Sequence, residues 1–211
     1  MGLDGLMEVT MRNSSFAVPF LAAALLAPAA ALAQSPGAAA PAFTLTDTAG
    51  KSVQLADYRG KYVVLEWTNP ECPFVRKHYT SGNMQALQKE WGAREVVWLS
   101  INSTSTGSYE FKTPAQMAQW MQSQGAAQKA TLIDGTSAAA RSYAARATPH
   151  IFVIDPAGAV LYNGAIDDRR TSNPADAKVA RNYVRAALTE AMAGKPVTVA
   201  STSPYGCSIK Y

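Results

Sequence analysis

Cysteine and histidine are both scarce in this 211-residue chain, with two of each. The cysteines, Cys72 and Cys207, are far apart, and neither groups with His78 or His150 at metal-ligand spacing. Structural metal sites need such clusters, so neither a metal nor any other cofactor is expected. There is no C-x-x-C pair, which excludes a dithiol closed within a single loop. Charge is sparse too, at 16% of residues and a formal net +4. No block of five or six like charges occurs, so binding to nucleic acid has little support. Beyond residue 33 no stretch approaches the roughly 20 apolar residues of a membrane span, and stable membrane insertion is not expected.

The N-terminus is differently built. Met11-Arg12-Asn13 forms a short positive start, residues 16–26 are apolar, and Ala31-Leu32-Ala33 has the small-x-small form of a cleavage site. This pattern predicts a cleaved signal peptide over residues 1–33 and a periplasmic or secreted protein of bacterial type. Asp4 and Glu8 are unusual in such a start, which makes Met11 a candidate initiator. Cleavage removes Arg12, Asp4 and Glu8 and leaves 18 basic against 13 acidic residues. The remaining chain is long enough for one domain with a substantial core. Residues 34–41 are rich in Ala, Gly and Pro and predict a disordered leader. The domain itself is expected over 42–196, with a tail over 197–211 that carries Cys207. In an oxidising compartment a bond between the two cysteines is permitted.

Within the domain, short alternating runs at 43–46 and 52–55 around a turn predict a β-hairpin. Apolar, β-branched runs at 61–67, 95–101, 130–134 and 151–154 predict strands, and 160–164 pairs with the last of them through the Asp155-Pro156-Ala157-Gly158 turn. Helical patterns begin at Pro73, break at 80–83, resume over 84–91, and recur at 113–124, 137–145 and 175–193. Strands alternating with helices argue for an α/β domain around a mixed sheet.

Cys72 follows the strand at 61–67 and opens a helix. A thiolate, not a thiol, is the nucleophile, and a helix N-terminus favours the charged form. Arg76 and Lys77, one turn on, are placed to assist. Cys72 is therefore a candidate redox-active thiol, weighed against a static bond to Cys207. Trp67 is read as core, His150 as a packing residue, and Asp167-Asp168-Arg169-Arg170 as a solvated charged loop.

Several local motifs carry a resemblance. Cys72-Pro73-Phe74-Val75 stands at a helix start, Ala147-Thr148-Pro149-His150 precedes a strand, Asp155-Pro156-Ala157-Gly158 enters the last hairpin, and the chain ends Pro204-Tyr205-Gly206-Cys207-Ser208-Ile209-Lys210-Tyr211. Together these resemble the thioredoxin fold and, within it, the peroxiredoxin-like redoxins of the alkyl hydroperoxide reductase/thiol-specific antioxidant family. The fold class implied is α/β and thioredoxin-like, with a central mixed β-sheet flanked by helices and an N-terminal β-hairpin extension. Two departures stand out. Asn69 takes the place of the first cysteine of a C-x-x-C, and the P-x-x-x-[T/S]-x-x-C spacing of peroxiredoxins is not kept, with Leu65 at the proline position.

The resemblance implies an exported thiol-dependent oxidoreductase enzyme. Cys72 and Cys207 are the catalytic candidates, Cys72 attacking a peroxide or a disulfide and Cys207 either resolving the product or stapling a loose tail. Thr68, Asn69, Thr148 and Pro149 are the substrate-binding candidates, Pro149 through a cis bond that would offer backbone groups to an extended substrate. The partners are then a peroxide or disulfide substrate and an external thiol reductant. Two alternatives stay open: a non-catalytic binding module with a structural Cys72–Cys207 bridge, and a protein thiol-disulfide oxidoreductase.

Overall fold

The computed structural model describes Met1 and residues 35–211, so the predicted signal peptide lies outside the described residues. Nine strands are present among these residues: β1 (Thr44–Asp47), β2 (Ser52–Gln54), β3 (Val63–Trp67), β4 (Val97–Asn102), β5 (Ala130–Ile133), β6 (Ala147–Thr148), β7 (His150–Ile154), β8 (Val160–Gly164) and β9 (Cys207–Ser208). Among the described residues five α-helices accompany them: α1 (Pro73–Thr80), α2 (Asn83–Gly92), α3 (Pro114–Ser123), α4 (Ala138–Ser142) and α5 (Tyr183–Met192).

Seven strands form one mixed sheet in the order β2-β1-β5-β4-β3-β7-β8, and β6 pairs with β9 in a separate two-stranded ladder. The central strand β3 is buried at every residue, as its continuous apolar run requires when both faces are covered. It runs parallel to β4 and antiparallel to β7. Side chains alternate between faces along a strand, and two cores follow from that. Val64 packs with Cys72, Val75, Tyr79 and Trp98 on one face. Val63, Leu65 and Trp67 pack with Tyr143 and Phe152 on the other. The fold is thioredoxin-like, with the predicted hairpin present as β1–β2 and joined to the sheet edge through β5.

The alternation puts one polar residue in the wrong place for a core. Glu66 shares the face of Val64 and is fully buried. Its carboxylate accepts hydrogen bonds from Trp98 Nε1 (2.9 Å), Ser100 Oγ (3.0 Å) and the Tyr79 hydroxyl (3.1 Å). Burial outweighs these bonds and pushes the carboxyl up to about 7. A carboxyl raised in the folded state binds its proton there before it does in the unfolded chain, so its contribution to stability falls as pH rises from about 4.5 to about 7. The buried His78 and His150, both held down to about 4 by burial, act oppositely and lose stability as pH falls below the ordinary histidine range. The carboxyl is therefore isolated by difference. Between pH 5 and pH 8, Glu66→Gln should gain about 2.5 kcal/mol on wild type in urea unfolding. A difference that stays constant over that range contradicts the assignment.

Three sequence expectations are revised. Residues 37–40 are not a free leader: Gly37 N–H donates to the Val160 carbonyl, Val160 N–H to Ala38 and Ala40 N–H to Gly158, each at 2.8–2.9 Å. The segment reads as disordered by composition but covers the backbone edge beside β8. The helix expected over 175–193 divides into a 3-10 turn, Pro174–Lys178, and α5, which Asn182 caps through its side chain onto Arg185 N–H. The tail is not loose, as shown below. No helix among the described residues is long and apolar enough to cross a membrane.

Candidate active site

β3 ends at Trp67 and the chain turns through Thr68-Asn69-Pro70-Glu71 into α1. The turn is fixed by Asn69. Its Oδ1 accepts Glu71 N–H (2.9 Å), its Nδ2 donates to Glu110 (2.6 Å), and its carbonyl accepts Cys72 N–H (3.1 Å). Cys72 is the N-cap of α1 and makes no side-chain cap. Pro73 has no N–H, so the first-turn N–H groups of Phe74 and Val75 lack intrahelical partners. The Cys72 sulfur is 1% exposed and donates to the carbonyl of Thr148 at 2.9 Å.

Thr148 belongs to β6, the peptide bond from Thr148 to Pro149 is cis, and both residues are buried. β6 pairs antiparallel with β9, in a register that sets Thr148 opposite Cys207. The two thiols are both free, and Cys207 packs against the core that contains Cys72. Burial, then the neighbouring Cys72, push the Cys207 thiol up to about 12, with Glu110 adding to the rise and Lys210 opposing it.

The tail is fastened on both sides of Cys207. Gly206 has φ +137°, and a Cβ there would stand 2.0 Å from the Thr148 carbonyl oxygen. Only glycine permits that backbone to cross the Thr148–Pro149 peptide so closely. Tyr205 is buried, stacks edge-on to Phe74 at 5.8 Å, donates its hydroxyl to Asp167 and accepts from Lys77 Nζ at 3.0 Å. Beyond Cys207, Ile209 is buried, Ser105 N–H donates to the Lys210 carbonyl (2.7 Å) and the Tyr211 hydroxyl to the Ala145 carbonyl (2.6 Å).

Lys77 and Asp167 are not the residues the sequence suggested. Lys77 does not assist Cys72. Its ammonium is fully buried on Asp167 (3.0 Å), the Arg169 carbonyl (2.6 Å) and Tyr205. Asp167 is not in a solvated loop but 2% exposed. Removing one partner of a buried pair leaves an uncompensated charge, at a cost of about 3–5 kcal/mol. Asp167→Ala should therefore lower the thermal midpoint by roughly 6–20 °C, read by circular dichroism. A shift within about 2 °C would show that the pair contributes little.

Of the site residues proposed from sequence, Cys72, Cys207, Thr148 and Pro149 converge. Thr68 and Asn69 do not bond the sulfur through their side chains. The Thr68 hydroxyl is buried and has no hydrogen-bond partner among the described residues, and Asn69 uses its Oδ1 within the turn and its Nδ2 on Glu110. Glu71 is engaged by Lys112 and Arg76, each at 2.8 Å, which holds its carboxyl below the usual range. His150 is a packing residue as read: its Nδ1 accepts Arg146 N–H (3.2 Å) and its ring lies 4.6 Å from Phe152. Tyr205, Gly206 and Glu110 escaped sequence reasoning. The alternation of Tyr205, Cys207, Ile209 and Tyr211 was the signal available for the first of them.

Residues 36–163 match the sequence profile of the AhpC/TSA family. The chain belongs to the AhpC/TSA family. The match contains Cys72, Thr148 and Pro149 and ends before Asp167 and the tail, so the part of the site built around Cys207 lies outside it. No curated protein matches the sequence. Among solved structures, this AhpC/TSA member is similar to an uncharacterized conserved protein from Geobacillus kaustophilus, with TM-score 0.75 and 28% identity over 84% of this chain and 93% of that one. It is similar to a hypothetical protein from Sinorhizobium meliloti, with TM-score 0.72 and 23% identity over 84% and 94% of the two chains. The thioredoxin domain of a thiol-disulfide oxidoreductase from Bacteroides vulgatus shares the fold at TM-score 0.51 and 20% identity, over 61% of this chain and 87% of that one.

Proposed function

We propose that this protein is an exported thiol-dependent oxidoreductase in which Cys72 reduces a small peroxide or disulfide, Cys207 resolves the product, and an external thiol restores both. One observation carries the reading: the β6–β9 register sets Cys207 opposite Thr148, the residue whose carbonyl accepts from the Cys72 thiol. Export rests on the N-terminal sequence pattern.

With a hydroperoxide, the Cys72 thiolate attacks the terminal oxygen and the O–O bond breaks. The alkoxide or hydroxide takes up a proton and leaves as alcohol or water, and Cys72 becomes a sulfenic acid. Cys207 then loses its proton and attacks the Cys72 sulfur, and water leaves as the disulfide closes. Two equivalents of external thiol then reduce the bond.

Multiple-turnover consumption is the test. With excess dithiothreitol, the purified protein should consume many equivalents of hydrogen peroxide or of a small aromatic disulfide per chain. Consumption of neither above the protein-free rate would refute the reading and leave a binding module.

A further inference from the structure

We propose that residues 205–211 occupy a peptide-binding groove, and that the groove recognises extended segments with an aromatic residue two before, and an aliphatic residue two after, a cysteine. This identifies the partner class for the site of the proposed function, and it rests on that reading only for what happens to the bound cysteine.

The tail is bound as a separate peptide would be. It adds a strand to β6 through main-chain pairing, and Ser105 N–H holds its backbone again at Lys210. Main-chain bonds supply affinity in such β-augmentation, and pockets for alternate side chains supply selectivity. The alternation is present: Tyr205 and Ile209 are buried, Cys207 is half-buried, and Ser208 between them is exposed. Each inward residue has its own receptor. Tyr205 enters a pocket formed by Phe74, Lys77 and Asp167, whose charged pair satisfies the phenol. Cys207 meets Cys72. Ile209 joins the second core, and Arg141 lies 4.4 Å from the Tyr211 ring. The backbone between the first two receptors must cross Thr148 at glycine, which adds a small residue before the cysteine to the pattern. While the tail is seated, it closes the groove to other polypeptides.

The groove is tested without redox chemistry. The probe is a fluorescein-labelled peptide of residues 203–211 carrying Cys207→Ser, titrated by anisotropy into three reduced full-length proteins: wild type, Tyr205→Ala and Gly206→Ala. Tyr205→Ala empties the aromatic pocket. Gly206→Ala lifts the tail at the crossing and leaves the Lys77–Asp167 pair intact, so it serves where the first variant folds poorly. The peptide should bind the variants saturably, at least about tenfold more tightly than wild type and about tenfold more tightly than a shuffled peptide. Equal binding of the shuffled peptide, equal binding to wild type, or no binding to either variant would overturn the proposal. Cys72 takes no part in this readout, so a failure here is distinct from a failure of peroxide or disulfide reduction.

Discussion

Cys72→Ser should abolish oxidant-dependent thiol chemistry, lowering the rate constant with hydrogen peroxide by at least about a hundredfold, because a serine hydroxyl is not ionised near neutral pH. Cys207→Ser should do something different. Nothing in the first step uses the second sulfur, so the first oxidation should continue, while the sulfenic acid on Cys72 accumulates and no intrachain bond forms. Dimedone labelling followed by mass spectrometry distinguishes the two variants: an adduct at residue 72 in Cys207→Ser and none in Cys72→Ser. Equal peroxide rates in Cys72→Ser and wild type would remove Cys72 from the chemistry.

The second large effect is expected at Gly206, a residue with no functional group. Alanine there carries its Cβ to 2.0 Å from the Thr148 carbonyl oxygen, the oxygen that accepts from Cys72, in a backbone conformation of φ +137° that L-residues rarely adopt. The neighbour is backbone and cannot turn aside, so the tail must move. The expected result is a second step, disulfide closure, at least about tenfold slower than wild type, with a stability loss of roughly 1–3 kcal/mol. The first step should stay within about twofold of wild type or become faster as the sulfur is uncovered. Quenched-flow thiol counting separates the steps. Unchanged closure would mean that Cys207 does not depend on the β6–β9 crossing.

The parts of this architecture that were legible in sequence are those governed by local pattern. The β-branched run of β3, the hairpin residues around Asp47, and Pro73 just after Cys72 each signal their structure within a few positions. So the fold and one of the two sulfurs could be placed from the chain alone. The rest depends on contacts between distant segments. Asp167 sits in a run of four charged residues and reads as solvated, yet Lys77, ninety positions earlier, buries it. The tail has Gly, Ser and Pro enough to read as mobile. Its order comes from Thr202, which bonds Asn163 and Ala165, from Tyr205 on α1, and from the Gly206 crossing, of which only Tyr205 leaves a periodic trace. Thr68 and Asn69 enter as candidates through the resemblance to peroxiredoxins. The Asn69 amide is used by Glu71 and Glu110 instead, and the Thr68 hydroxyl is buried without a hydrogen-bond partner.

The account depends above all on the tail holding Cys207 against Cys72, and a non-reducing peptide map tests it most directly. Fully reduced protein is treated with one equivalent of hydrogen peroxide over a range of protein concentrations. The predicted result is a single Cys72–Cys207 bond within each chain, two thiols lost together, and a closure rate independent of protein concentration. Bonds between chains, or a Cys207 that stays free while Cys72 is oxidised, would contradict it.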